Sequence, residues 1–216
     1  GDTYIIRGGN RLNGRVRVQT SKNATLPILA ASLLSSGKVK ICEYPHITDL
    51  DNMLNILRGI GVDIERTEKD LIIDSQNANN LHLNFDLMKT MRSSIFLLGS
   101  LLARFKTATI TQPGGCKIGA RPIDIHLKGL RQMGVKICEV GELIFFDASQ
   151  AHNAKIKLSF PSVGATENLV QFACLTKGKT IISNAAREPE IVDLCCFLNK
   201  MGARISGAGT TTITIQ

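Results

Sequence analysis

Three stretches of this chain repeat one pattern, and that repetition restricts the fold more than any other feature. They are Asp51-Asn-Met-Leu-Asn-Ile-Leu-Arg-Gly-Ile-Gly61-Val62, Asp124-Ile-His-Leu-Lys-Gly-Leu-Arg-Gln-Met-Gly134-Val135 and Asp193-Leu-Cys-Cys-Phe-Leu-Asn-Lys-Met-Gly202-Ala203. Each reads as an amphipathic helix opened by Asp, whose carboxylate suits the free N–H groups of a first turn, and closed by Gly, which accepts the left-handed backbone that ends a helix. The closing glycines stand 73 and then 68 residues apart. Such a period is too long for a simple solenoid and fits a supersecondary unit used three times.

A more apolar segment precedes each amphipathic one: Leu26–Leu34, Ile95–Ala103 and Leu169–Leu175. Helices that are apolar nearly all round are buried on most sides. Strands are expected at Lys38–Cys42, Thr107–Thr111 and Thr180–Ser183, with closing strands or hairpins near Leu71–Asp74, Leu143–Phe146 and Thr211–Ile215. The expected class is α/β: three pseudo-symmetric repeats of strand, buried helix, strand, outer helix and strands, with the buried helices at the centre.

Lys and Arg number 26 against 18 Asp and Glu, a formal charge of +8. That excess points to anionic ligands and cannot by itself choose among nucleic acid, anionic lipid and phosphorylated metabolites. Aromatics are 5% with no Trp, and the cations are scattered, so base stacking on a basic platform is disfavoured. No apolar run approaches the roughly 18 residues of a membrane span, and the start has no signal-type segment, so a cytoplasmic protein with no membrane partner is expected. Six cysteines are present without a Cys-x-x-Cys pair, which leaves no zinc-ligand spacing and no metal expected. Cys174, Cys195 and Cys196 read as small core residues.

Chemistry is expected where the buried helices begin. Thr20-Ser21-Lys22-Asn23, Arg92-Ser93-Ser94 and Ser162-Val-Gly164-Ala-Thr166-Glu167-Asn168 precede or open them. Helix N-termini attract phosphate, and under pseudo-symmetry all three would face one end of the molecule. The bland alternative is that Ser, Thr and Asn are simple caps. Pro113-Gly-Gly-Cys116-Lys-Ile-Gly119-Ala-Arg121-Pro122-Ile-Asp124 reads as a loop between a strand and an outer helix. A thiol beside Lys117 and Arg121 in such a loop has what a lowered pKa and solvent access require, and could serve as general acid or nucleophile. A spacer loop with an incidental cysteine is the competing reading.

At these residues the chain resembles the UDP-N-acetylglucosamine 1-carboxyvinyltransferase family of enolpyruvyl transferases. The resemblance is carried by the loop from Pro113 through His126-Leu127, by Ser162–Asn168, Asn184–Asp193 and Gly207–Thr210, and by Gly8-Gly9 through Lys22-Asn23-Ala24 and Pro27. It implies the inside-out α/β lobe of that fold and transfer of an enolpyruvyl group from phosphoenolpyruvate to the 3′-hydroxyl of UDP-N-acetylglucosamine, in peptidoglycan synthesis in the bacterial cytoplasm. It implies no metal or organic cofactor. On matched positions, Cys116 would be the loop thiol, acting as general acid, able to hold an adduct and open to alkylation by fosfomycin. Lys22 and Arg121 would bind phosphoenolpyruvate, and Asn23 would contact the sugar and the tetrahedral intermediate. Arg92, the run Arg121, Pro122, Ile123, Asp124 and Ile125, and Ser162, Val163 and Gly164 would hold the uridine diphosphate.

The same resemblance divides the chain into residues 1–20, which the family places in a second lobe, and 21–216, the N-terminal lobe with repeats near 21–78, 79–150 and 151–216. A C-terminal lobe supplying the aspartate base would be the missing partner, so the chain alone is expected to be an inactive or half-site fragment. Its exposed lobe face would be open to self-association. Thr20-Ser21 and Phe160 depart from the family pattern. Two rival readings stay open: an enolpyruvylshikimate-phosphate synthase-like enzyme, against which the cysteine loop argues, and a non-catalytic phosphate- or RNA-binding repeat module.

Overall fold

The computed structural model describes residues 21–79, 92–112 and 123–216, with the backbone alone at 92–94. Its elements fall into three successive groups. The first holds α1 (Lys22–Ala31), β1 (Val39–Cys42), α2 (Thr48–Gly59), β2 (Asp63–Arg66) and β3 (Asp70–Asp74). The second holds a 3₁₀ turn (Arg92–Leu97) that runs into α3 (Leu98–Phe105), then β4 (Thr107–Thr111), α4 (Asp124–Gln132), β5 (Lys136–Val140) and β6 (Leu143–Asp147). The third holds β7 (Lys155–Lys157), α5 (Val163–Ala173), β8 (Thr180–Ser183), α6 (Pro189–Lys200), β9 (Ile205–Ser206) and β10 (Thr212–Ile215).

The three sheets share one wiring. Strand orders are β1-β3-β2, β4-β6-β5 and β7-β8-β10-β9, so the last strand of every group lies between that group's earlier strands. The ladders are antiparallel, with Val39 opposite Ile73, Thr107 opposite Asp147 and Thr212 opposite Ser183; β7 adds in parallel to β8. The central strands alternate as the pleat demands, burying Leu71 and Ile73, Ile144 and Phe146, and Ile213 and Ile215 on one face. Each inward face is covered by helices, and the buried residues join in one core.

Gly61, Gly134 and Gly202 all have positive φ (+92°, +81° and +108°), as the repeated helix endings require. A further echo is not glycine: Glu43 and Asn184, each just past the first antiparallel strand of its group, both sit at φ +54°. The groups also interlock. α5 packs on α4 of the group before it, α3 packs on α5, and α1 packs on α6 of the last group. The α/β class and the threefold repeat are thus both present in the molecule.

Four details differ from the sequence expectation. α2 begins at Thr48, and Asp51 lies in its first turn, where it takes the Arg66 guanidinium at 2.6 Å in place of opening the helix. α6 begins at Pro189, four residues before Asp193, because a proline fits the first turn, where its missing N–H is not needed. The second inner helix starts as 3₁₀. Cys196 is exposed; Cys195 is buried and Cys174 half-buried. The buried residues of α6, Ile191, Leu194, Cys195 and Leu198, recur every three or four positions, which turns the next residue after Cys195, Cys196, to solvent. Residues 1–20 and the 80–91 portion of the second repeat lie outside the described residues.

Candidate active site

The first turns of α4 and α5 stand side by side. His126, the third residue of α4, has its ring against Gly164: a Cβ there would lie 3.2 Å from Cε1 and 3.3 Å from Nε2. One turn further on, Gly129 faces Leu169. Both helices therefore advance in the same direction from neighbouring N-termini. Asp124 lies in the first turn of α4, where its carboxylate complements the helix dipole. Ser162 caps α5 by accepting the Ala165 N–H at 3.2 Å. Thr166 then donates to the Ser162 carbonyl at 2.7 Å and accepts the Ala186 N–H at 3.1 Å, which ties the start of α5 to the loop ahead of α6.

Beneath these turns is a buried polar layer. Thr166, Glu167, Asn168 and Gln171 are all at most 3% exposed. Asn168 accepts from Gly99 N–H at 2.9 Å, donates to the Ile95 carbonyl at 2.8 Å and lies 3.0 Å from His126 Nδ1. Burial drives the His126 pKa down to about 4, so the ring is neutral at pH 7. Since Asn168 meets Nδ1 with its NH₂ group, Nδ1 accepts and the ring proton sits on Nε2, beside Gly164. Glu167 has its pKa pushed up to about 8, first by burial and then by the nearby Glu190 carboxylate. Its Oε2, like Gln171 Oε1, has no hydrogen-bond partner among the described residues.

The α1 end is built differently. Ser21 is the N-cap residue but makes no side-chain cap bond. Lys22, half exposed, pairs with Asp49 of α2. Pro27 sits inside α1 and has no N–H, so the carbonyl four residues back, on Asn23, is left without its helical donor. Asn23 itself is exposed at the helix start.

The expected site residues distribute as follows. Ile123, Asp124 and Ile125 are on or beside the first turn of α4, and Ser162, Val163 and Gly164 on that of α5. Lys22 and Asn23 open α1, and Arg92 opens the 3₁₀ turn three residues before Ile95. Cys116, Arg121 and Pro122 lie outside the described residues. Phe160 is 63% exposed, and its carbonyl accepts the Ser162 N–H at 2.7 Å. Asp49, His126 and Asn168 have no individual role in the sequence expectation, although Asn168 closes the Ser162–Asn168 segment. The one available hint for His126 was its place inside the quoted loop motif.

Comparison with known proteins fixes the relationship. The family described as EPSP synthase (3-phosphoshikimate 1-carboxyvinyltransferase) matches residues 6–216. The chain belongs to that family. Among curated relatives it is 50% identical over 213 residues to UDP-N-acetylglucosamine 1-carboxyvinyltransferase 2 of Caldanaerobacter subterraneus subsp. tengcongensis, covering 99% of this chain and 51% of the relative. It is 44% identical over 219 residues to UDP-N-acetylglucosamine 1-carboxyvinyltransferase 1 of Staphylococcus aureus, covering 100% and 52%. The chain of this family member thus spans about half the length of the curated relatives it matches. Among solved structures, the enolpyruvyl transferase NikO from Streptomyces tendae superposes with a TM-score of 0.82 at 24% identity, over 96% of this chain and 49% of that one. EPSP synthase from Acinetobacter baumannii gives 0.72 at 19%, over 94% and 46%. Both share the fold.

Among the described residues no helix is long and apolar enough to cross a membrane, and no group of His, Cys, Asp and Glu is arranged to hold a metal ion.

Proposed function

We propose that this chain supplies the nucleotide-sugar side of an enzyme that moves the enolpyruvyl group of phosphoenolpyruvate to the 3′-hydroxyl of UDP-N-acetylglucosamine, releasing phosphate. The supporting observation is the pair of adjacent helix starts, Asp124 on α4 and Ser162–Gly164 on α5, in a chain 44–50% identical to proteins of that name. Two neighbouring N-termini present N–H groups to a diphosphate from one direction, and neutral His126 adds a ring N–H beside them. Arg92, Arg121, Pro122, Ile123, Ile125 and Val163 complete the nucleotide contacts in this reading.

The reaction needs a proton delivered to the phosphoenolpyruvate methylene carbon while the sugar hydroxyl attacks the neighbouring carbon. Cys116 is assigned the acid role, and Lys22 with Arg121 neutralises the phosphate and carboxylate. Asn23 holds the sugar and the tetrahedral intermediate, from which phosphate then leaves as the newly formed methyl group loses a proton. In this reading the base for the hydroxyl comes from the half of the relatives that this chain does not match, so its residues form a half-site. No cofactor takes part.

Saturation-transfer NMR on the chain with UDP-N-acetylglucosamine, with shikimate 3-phosphate and a short RNA as competitors, tests this. Binding of the nucleotide sugar alone, in the millimolar range expected of a half-site, is the predicted result. Silence from all three ligands in a folded chain would mean the site exists only between two halves. Preference for shikimate 3-phosphate, or for RNA with steep salt dependence, would overturn the reading.

A further inference from the structure

In an uninterrupted α-helix the Ile95 carbonyl would accept from the Gly99 N–H, four residues on. Here the Asn168 side chain stands between them. Its Oδ1 takes the Gly99 N–H at 2.9 Å, and its Nδ2 donates to the Ile95 carbonyl at 2.8 Å. The amide enters where the 3₁₀ turn Arg92–Leu97 becomes α3. Side chains inserted into a helical ladder redirect the helix, and a mid-helix 3₁₀ stretch often marks a functional constraint. Gly99 permits the approach, since a Cβ there would lie 2.3 Å from the Asn168 carbonyl oxygen.

The remaining Nδ2 hydrogen points at His126 Nδ1, 3.0 Å away on α4. Asn168 is 2% exposed and His126 7%, so water offers neither a substitute partner. One amide thus joins three chain segments far apart in sequence: the turn begun by Arg92, the first turn of α4 and the helix begun by Ser162–Gly164.

We propose that Asn168 is a positioning residue, whose amide holds the Arg92 turn, the Asp124–His126 turn and the Ser162–Gly164 turn in the one register that a nucleotide diphosphate needs. This rests on the nucleotide-sugar reading of the site. An ordinary packing role would cost stability without moving the three turns together.

The test uses Asn168→Asp, which keeps the shape and the acceptor for Gly99 but removes both donors, with Asn168→Ala as a second variant. Leu54→Ala, a buried position in α2, serves as the stability-matched control. In the unaltered chain, ¹⁵N spectra of His126 are expected to show the Nε2–H tautomer; finding the proton on Nδ1 overturns the proposal. In the Asp variant the proton is expected to move to Nδ1, and backbone amide signals of 92–97, 123–126 and 162–165 should shift together. Affinity for UDP-N-acetylglucosamine should fall about tenfold, roughly one lost hydrogen bond to a charged group, while Leu54→Ala, equally destabilised, keeps its affinity. Shifts confined to α5, or an equal loss of affinity in Leu54→Ala, would overturn it. If the unaltered chain binds no nucleotide sugar, the site exists only between two halves, and the tautomer and amide shifts still decide whether Asn168 sets the register.

Discussion

The starts of α1 and α5 occupy matching places in their repeats and share a threonine, Thr25 or Thr166, that donates to the N-cap carbonyl, but beyond that they are held differently. At α5 the Ser162 hydroxyl caps the helix, Thr166 ties it to Ala186, and Asn168 locks it to Gly99, Ile95 and His126. At α1 the Ser21 hydroxyl caps nothing, Asn23 has lost the donor that Pro27 cannot give, and Lys22 makes an ion pair near the surface. A preorganised end suits a ligand bound in one pose, because little ordering entropy remains to be lost. A cation in an exchangeable, partly exposed ion pair suits a group that must change partners during a reaction. In the reading proposed above, the nucleotide goes to the rigid end and phosphoenolpyruvate to the adjustable one.

The largest expected effect tests how tightly the rigid end is built. Gly99→Ala places a Cβ 2.3 Å from the backbone oxygen of Asn168, and backbone cannot step aside. A loss of about 3 kcal/mol or more is expected in chemical denaturation. Gly59→Ala, in α2 with nothing within 4 Å, should be neutral or stabilising by up to about 1 kcal/mol. Similar costs at both sites would remove the distinction between the two regions.

Next in size is Lys22→Ala, measured in this chain completed with the second half of the Caldanaerobacter relative. Turnover is expected to drop at least about a hundredfold, since in the proposed reaction the lysine faces an anion in the transition state. Near-normal kinetics would take Lys22 out of the site.

Third comes the pH dependence of the buried layer. Glu167 titrates at about 8 in the fold against 4.5 unfolded, so its favourable contribution is complete below pH 4.5 and is lost as pH rises through 8. Glu167→Gln should therefore remove a decline in stability that begins near pH 4.5 and reaches on the order of 3 kcal/mol by pH 7. His126 acts with the opposite sign: lowered to about 4 from 6.5, it supports the fold above pH 6.5 and ceases to as pH falls through 4. An unchanged profile between pH 4.5 and 8 in the Gln variant would show that Glu167 finds a partner for its charge.

Much of this architecture is visible in the sequence because it is local. The helix-closing glycines at 61, 134 and 202 and the alternation in β3, β6 and β10 depend on neighbours a few residues away. What escaped is made by distance. The 3₁₀ start of the second inner helix is shaped by Asn168, some seventy positions later, which no periodicity announces. The pairing of Lys22 with Asp49 joins two helices that only tertiary packing brings together. The start of α6 is local too: Glu188-Pro189 is an ordinary helix-opening signal, and it lies ahead of the Asp that the repeat pattern points to. For the site, residue types and helix starts were legible, whereas the hydrogen bonds that fix their geometry were not.

The two smallest predictions address the caps and the ion pair directly. Ser162→Ala should cost about 1 kcal/mol, the usual worth of an N-cap hydroxyl, and Ser21→Ala close to nothing. Asp49→Asn should change stability by less than about 1 kcal/mol, because Lys22 and Asp49 are 49% and 42% exposed and such pairs are screened. Its effect on the site has the opposite sign to a structural loss. Freed of Asp49, Lys22 no longer has to break an ion pair before meeting an anion, so phosphoenolpyruvate should bind somewhat more tightly, by up to about threefold, with the gain fading as salt is raised. Weaker binding would mean that Asp49 aims the lysine and does not compete for it, and the α1 end would then be as preorganised as the α5 end.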